Sequence, residues 1–344
     1  NLTFFVLTYK YNFATMSEDK TKQIITLHKY KTEFNADSVE WCPHKPYQHF
    51  FVCANYQLTE TQERIGRILL FSITPANELQ LCQTVNTSAV LDQKWCLHCP
   101  ILTVVNAASA IEVYKFENER LMLITTCTVP CEALILSVDW TKEHEMICSD
   151  SKGNWHKLEL CENNLVLQNT AKAHDFEAWI AAFYSWNTAV FYTGGDDALL
   201  LTFDTRIGTA PVNKNRVHQA GVTSVHSNIN KEFQIATGSY DENVRLWDVR
   251  NMKVEECLTK MPGPVWRLKW DPFNSKSLLS ACMLGGAHVL GDGLDIVCSF
   301  YEHESMVYGV DWCHLGGDDR IIGTCSFYDS LLCISKLPKE NKEE

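Results

Sequence analysis

The chain has 344 residues, 46% of them hydrophobic and 21% charged, and a formal net charge of -12. An acidic chain with no lysine or arginine cluster lacks the basic surface that nucleic-acid phosphates and anionic membranes require, so neither is expected as a partner. The length alone would suggest two domains, but repeats along the chain override it in favour of one.

Residues 1–15 precede Met16-Ser-Glu-Asp-Lys20, which reads as an ordinary start. The apolar run Leu2–Leu7 is too short to cross a bilayer, and it lacks the basic region and cleavage site of a signal peptide. Residues 1–15 are therefore read as a disordered leader, non-native or untranslated. Residues 24–30 then alternate apolar and polar side chains before any repeat begins.

From there one element recurs seven times, an apolar strand that often ends in tryptophan. The copies are Ser38–Trp41, Leu91–Trp95, Leu136–Trp140, Ile180–Phe183, Val222–Val225, Val265–Trp270 and Tyr308–Trp312. Their spacing is roughly 42–54 residues, near the period of one propeller blade. Each is followed by a second apolar strand, as at Phe50–Ala54, Val190–Thr193 and Arg320–Cys325. The fifth copy continues through Ala236-Thr-Gly-Ser-Tyr-Asp-Glu-Asn-Val-Arg-Leu-Trp-Asp-Val-Arg250. This is a strand, an Asp/Asn turn and a strand closing in Trp247-Asp248, the signature of a WD40 blade. Tyr192–Arg206 aligns with it without a gap, Phe203 standing where Trp247 stands. The expectation is an all-β, seven-bladed WD40 propeller over residues 16–337. The 24–30 strand should close the ring as the outer strand of the last blade, beside 331–337, and residues 338–344 form a charged tail. Closure protects the sheet edges, and a monomer is expected.

Fifteen cysteines are scattered through the strands, where Cys serves as a small hydrophobe. That usage fits a reducing, cytoplasmic setting better than a disulfide framework. Cys96-Leu-His-Cys99 has no second pair at zinc-ribbon spacing, so no metal and no cofactor is expected.

Several segments depart from generic propeller sequence. They are Ala173-His-Asp-Phe-Glu-Ala-Trp-Ile-Ala-Ala-Phe183, Gly194-Gly-Asp-Asp197, Val265-Trp-Arg-Leu-Lys-Trp270, Val307-Tyr-Gly-Val-Asp-Trp312 and Thr324-Cys-Ser-Phe-Tyr-Asp329, with Asp37-Ser-Val-Glu-Trp-Cys-Pro43 upstream. Together they resemble the diphthine methyl ester hydrolases, WD-repeat proteins of diphthamide biosynthesis, over about residues 33 to 335. The resemblance implies a carboxylic-ester hydrolase acting on methylated diphthine, a modified histidine of translation elongation factor 2, which would then be the protein partner. The fold by itself favours other classes: a non-catalytic scaffold, or an adaptor in degradation or trafficking.

Ester hydrolysis needs an activated nucleophile or water, a base and oxyanion donors. No Gly-x-Ser-x-Gly elbow and no His-Glu-x-x-His is present. His218, Ser239, Asp241 and Trp247 read as a structural hydrogen-bond network within one blade. His174 and Asp197 repeat it incompletely, since Gly195 and Phe203 replace two members, and a less tied His174 is a candidate base. Asp196 fills the slot that Tyr240 fills in the next blade and Tyr328 in the last. Glu177, Trp179, Trp266, Arg267 and Tyr308 lie at the starts of inner strands, near the same rim. His174, Asp196 and Arg267 are the candidate catalytic residues. Glu177, Trp179, Tyr240, Trp266 and Tyr308 are the candidate binding residues, their rings and carboxylates suited to the trimethylammonium that the resemblance implies. Ser326, Cys325 and Cys282 are further candidates for nucleophile.

Overall fold

The computed structural model describes residues 22–74, 76–141, 144–317 and 319–338. The expected leader, the Met16 start and all of the tail except Pro338 lie outside them. Within them the chain is strand and turn, with no helix.

Seven sheets follow one another, six of them antiparallel with four strands and the sixth in chain order with five. The seven recurring apolar strands are the inner strands: Asn35–Trp41, Val90–Trp95, Ile135–Trp140, Ala178–Phe183, Val222–Ser227, Arg267–Trp270 and Val307–Trp312. The architecture is a seven-bladed β-propeller, as expected. Ile25–Lys31 pairs antiparallel with Leu331–Lys336, Tyr30 opposite Leu332, so an N-terminal strand closes the ring in the last blade. Lys22–Gln23, which no sequence pattern marks, adds a fifth, parallel strand to the sixth blade beside Ile296–Phe300.

The core lies between blades. Each of seven apolar clusters draws on two adjacent sheets, as a sheet apolar on both faces requires. The ring-closing cluster joins Val39, Trp41 and Phe51 of the first blade to Cys325, Leu332 and Ile334 of the last. Phe203 stacks on Phe191 at 4.8 Å in the interface of blades three and four, which explains an aromatic ring without an indole at that position.

Polar staples fix the blade angle. Asp139 accepts the backbone N–H of Phe183 at 2.8 Å, Asp92 that of Val138 at 3.1 Å and Asp311 that of Trp41 at 2.6 Å, each one blade further on. In the other direction the indoles of Trp95, Trp270 and Trp312 donate to carbonyls of Glu40, His226 and Lys269, each one blade back. The Val-Asp-Trp ending at 310–312 thus serves both neighbours at once, Asp311 reaching one blade and Trp312 the other. All fifteen cysteines are free thiols. No helix among the described residues is long and apolar enough to cross a membrane.

Candidate substrate site at the mouth of the propeller

One irregularity recurs at the start of the inner strands. The register against the second strand skips Asp37, Leu91, Leu136, Trp179, Thr223 and Tyr308 in the six blades where the inner strand starts early enough. In the sixth blade Trp266 holds the corresponding place, its N–H bonded to the Ala281 carbonyl at 2.8 Å. A skipped residue bends its strand and re-aims its side chain. Here the bends ring the axis at one rim.

A second ring of positions follows the second strands. The N–H of Asp196 bonds the Glu177 carbonyl, that of Tyr240 the Gly221 carbonyl and that of Phe327 the Met306 carbonyl, at 2.9–3.0 Å. The slot shared by Asp196 and Tyr240 is therefore held in the last blade by Phe327, not by Tyr328 as the sequence suggested. The Tyr-Asp pair of blade five aligns by composition with Tyr328-Asp329, but the hydrogen bond shifts the register by one. Gly221 has to be glycine here, because a Cβ would lie 2.9 Å from both the Asp196 carboxylate and the Tyr240 ring.

The two rings of positions bring the four expected aromatics together. Ring centroids lie 6.0 Å apart for Trp179–Tyr240, 5.5 Å for Trp179–Trp266, 6.1 Å for Tyr240–Trp266 and 4.9 Å for Trp266–Tyr308. The row continues through Phe327, 5.3 Å from Tyr308, to Tyr56 of the first blade. Sequence reasoning missed both of these. All six rings are half-buried. Elsewhere arginines cap rings, Arg67 on Phe34 for example, but among the described residues no arginine or lysine lies over this row. Asp196 is exposed and accepts the Trp179 indole N–H at 3.0 Å. Burial pushes the Tyr240 phenol well up, and Tyr308, Asp196 and Glu177 add to it. The row therefore offers ring faces in a negative field, the setting that holds a cation.

Below the mouth, charged inner-strand residues meet across the axis. Arg267 of blade six pairs with Asp92 of blade two at 2.7 Å, and Lys269 pairs with Glu40 of blade one. Arg267 is thus committed to the channel wall. Burial would lower its pKa, but Asp92, Glu40 and Asp37 outweigh that and raise it, so it stays a cation.

His174 is not the loosely held base expected. It is buried, with Nδ1 2.9 Å from Asp197 Oδ1 and Nε2 2.8 Å from Thr193 Oγ1. Phe203 has no N–H to claim the Thr193 hydroxyl, so losing the tryptophan tightens the histidine. Gly195 belongs to the same packing, since a Cβ there would lie 2.4 Å from the imidazole. Desolvation lowers the His174 pKa against the pull of Asp197.

The expected network of the fifth blade also has a different membership. Thr237 links Trp247, whose indole donates to it at 2.9 Å, and His218 at 3.3 Å. Arg245 stands between His218, at 3.0 Å, and Asp241. Ser239 touches this chain only at its edge, accepting the Asp241 N–H at 3.1 Å, and donates to the Ala220 carbonyl. Thr237 was hidden because it and Ser239 lie two positions apart on one strand, and two hydroxyls on the same face look equally suited to the bridge.

The remaining nucleophile candidates are sealed. Ser326, Cys325 and Cys282 are buried, and Ser326 is engaged by both His303 and Asp329. Burial pushes the Cys282 thiol up to about 12. The fold also joins Cys131, Asp150 and His156, whose ligand-type atoms lie within 4.8 Å of one another, a cluster the sequence did not reveal. Asp150 is already saturated there, accepting from Cys131, His156, Asn154 and the Lys152 N–H. The Cys96 and Cys99 sulfurs lie 3.4 Å apart, as thiols.

Comparison with known proteins agrees with the propeller fold. The WD domain, G-beta repeat family matches residues 210–248. A chain from a solved structure, the mitotic checkpoint complex, superposes with a TM-score of 0.74 over 96% of this chain and 98% of its own, at 17% identity. That likeness is one of fold. Diphthine methyltransferase of Mus musculus is 39% identical over 84% of this chain and 69% of its own length. The chain belongs to the diphthine methyltransferase family. A homolog from Dictyostelium discoideum is 33% identical over 91% of this chain and 99% of its own. The relatives' names denote methyl transfer, whereas the sequence resemblance points to methyl-ester hydrolysis; diphthine is common to both.

Proposed function

We propose that the chain hydrolyses the methyl ester of methylated diphthine on translation elongation factor 2. The observation that carries this reading is the row Trp179, Tyr240, Trp266 and Tyr308, drawn from four blades to one mouth and flanked by Glu177 and Asp196. A trimethylammonium group has no hydrogen to donate, so ring faces and carboxylates are the groups that bind it. With that cation seated on the row, the ester on the same side chain is carried toward the axis. Arg267 lies there, its charge fixed, to polarise the ester carbonyl or to hold the product carboxylate. Membership in the diphthine family and the expectation from sequence support the same substrate.

Methyl transfer would need a methyl donor held beside the carboxylate, whereas hydrolysis needs only water. The two are separated by incubating the purified chain with methylated-diphthine elongation factor without any methyl donor and measuring methanol. Release in proportion to enzyme supports hydrolysis. Methylation of unmethylated diphthine when a donor is supplied, with no methanol in either direction, would assign the opposite reaction. Stable binding with no chemistry would leave the scaffold class.

A further inference from the structure

Among the seven equivalent positions that ring the mouth, Asp37 carries the carboxylate. Its blade adjoins the last one, so it is the neighbour of Tyr308 at the end of the aromatic row. Asp37 is buried, and its carboxylate makes no hydrogen bond or ion pair with any described residue. The other acids of the channel are spoken for: Asp92 and Asp311 accept backbone N–H groups from adjacent blades, and Glu40 meets Lys269. The groups that face Asp37 are Arg267 from blade six, Asp92 from blade two, and Tyr308 and Cys325 from blade seven. Loss of water raises its pKa to about 8, Arg267 pulling down and Asp92 pushing up. Burial thus favours its protonated form. A fixed positive charge placed on the adjoining rings shifts that balance, because a nearby cation favours the ionised carboxylate.

We propose that Asp37 is the proton acceptor of this site and that a quaternary ammonium ion seated on the adjoining rings holds it ionised. The substrate then switches on its own base, a role that rests on the hydrolytic reading above. Water attacks the ester carbonyl carbon as its proton passes to the Asp37 carboxylate. The tetrahedral adduct collapses, the acyl C–O bond breaks, and the methoxide leaves as methanol with the proton from Asp37. The product acid loses its own proton to solvent.

The cation site can be tested without turnover. Tetramethylammonium is titrated onto the intact chain, with tryptophan fluorescence as the readout, from pH 6 to pH 9. Its affinity rises about tenfold across this range in the wild type, because binding and deprotonation are linked. In Asp37→Asn, a near-isosteric change, affinity is pH-independent and stays at the low-pH value. A flat wild-type profile, or an Asp37→Asn profile with the wild-type slope, overturns the proposal. The second arm is methanol release. Asp37→Asn should lower kcat by at least about a hundredfold, the usual worth of a general base, while still binding tetramethylammonium. Wild-type turnover in Asp37→Asn removes Asp37 as the base. If the wild type binds tetramethylammonium with the expected slope yet releases no methanol, the hydrolytic reading and the base role fall together, and the proton-linked cation site stands.

Discussion

The indole N–H of Trp179 donates to the carboxylate of Asp196 at 3.0 Å, across the gap between an inner strand and the turn after the second strand of the same blade. The bond fixes the plane of the first ring in the row and keeps a negative charge beside it. Asp196 is exposed, so Asp196→Ala should change stability by no more than about 0.5 kcal/mol. Substrate binding should weaken about fivefold, the worth of one hydrogen bond of about 1 kcal/mol. Thermal melts and titration calorimetry on the same preparation measure both.

The aromatic row should behave as a cation site rather than as packing. Trp179→Leu and Trp266→Leu keep apolar bulk but lose the ring quadrupole. Each should cost about 2 kcal/mol, roughly thirtyfold in affinity for methylated diphthine, and Trp→Phe should cost less. A substrate analogue lacking the trimethylammonium is the control. Equal losses toward that analogue would make these rings packing residues.

The fifth-blade network is a matter of folding. Thr237→Val removes the hydroxyl shared by Trp247 and His218, and Asp241→Ala removes the partner of Arg245 and of the Gln219 N–H. Each should destabilise the chain by about 1–3 kcal/mol, since buried donors lose their acceptor. Methanol release per folded molecule should be unchanged. Ser239→Ala, which touches only the edge of the network, should be milder in chemical denaturation.

Stability should fall on the acid side. Burial holds His218, His288 and His303 at about 4 in the folded chain, below the ordinary 6.5, with Arg245 adding to the effect at His218. Between those values the unfolded chain binds protons that the folded one refuses. The histidines' contribution is therefore full above 6.5, rises with pH through the window, and is lost as pH falls toward 4; it outweighs the opposite contribution of the raised carboxyl Asp37. Asp150 is a carboxylate held at about 2, its hydrogen bonds from His156 and Asn154 outweighing burial. Its contribution is present above 3.8 and is lost as pH falls toward 2. The Tm should drop by roughly 5–10 °C from pH 7 to pH 4.5. A Tm that is flat or higher at pH 4.5 would contradict the buried, neutral state of these histidines.

The fold was legible because its signals are local. The period of the apolar strands, the turn at Tyr240–Asn243 and the closing Trp247-Asp248 each need only a few neighbouring residues. The aromatic row was legible through symmetry, since Trp179, Trp266 and Tyr308 stand at equivalent strand starts and a closed ring brings such positions together. Asp37 was quoted for its family likeness yet not read as a site residue, because a skipped register leaves no trace in an alternating pattern. His174 was misread for a related reason. Its looseness was inferred from a missing tryptophan, but that absence frees Thr193 to hold it. Arg267 was expected at the rim but lies below the mouth, because its partner Asp92, 175 positions away and beyond any pattern in the sequence, holds it in the channel wall.

The central claim is most directly tested by mass spectrometry of the modified elongation-factor peptide after incubation with the purified chain in heavy-oxygen water. The account predicts a peptide that has lost one methylene and whose new carboxylate carries one heavy oxygen, with unlabelled methanol. An unchanged peptide, or one that gains a methyl group when a donor is present, would contradict it.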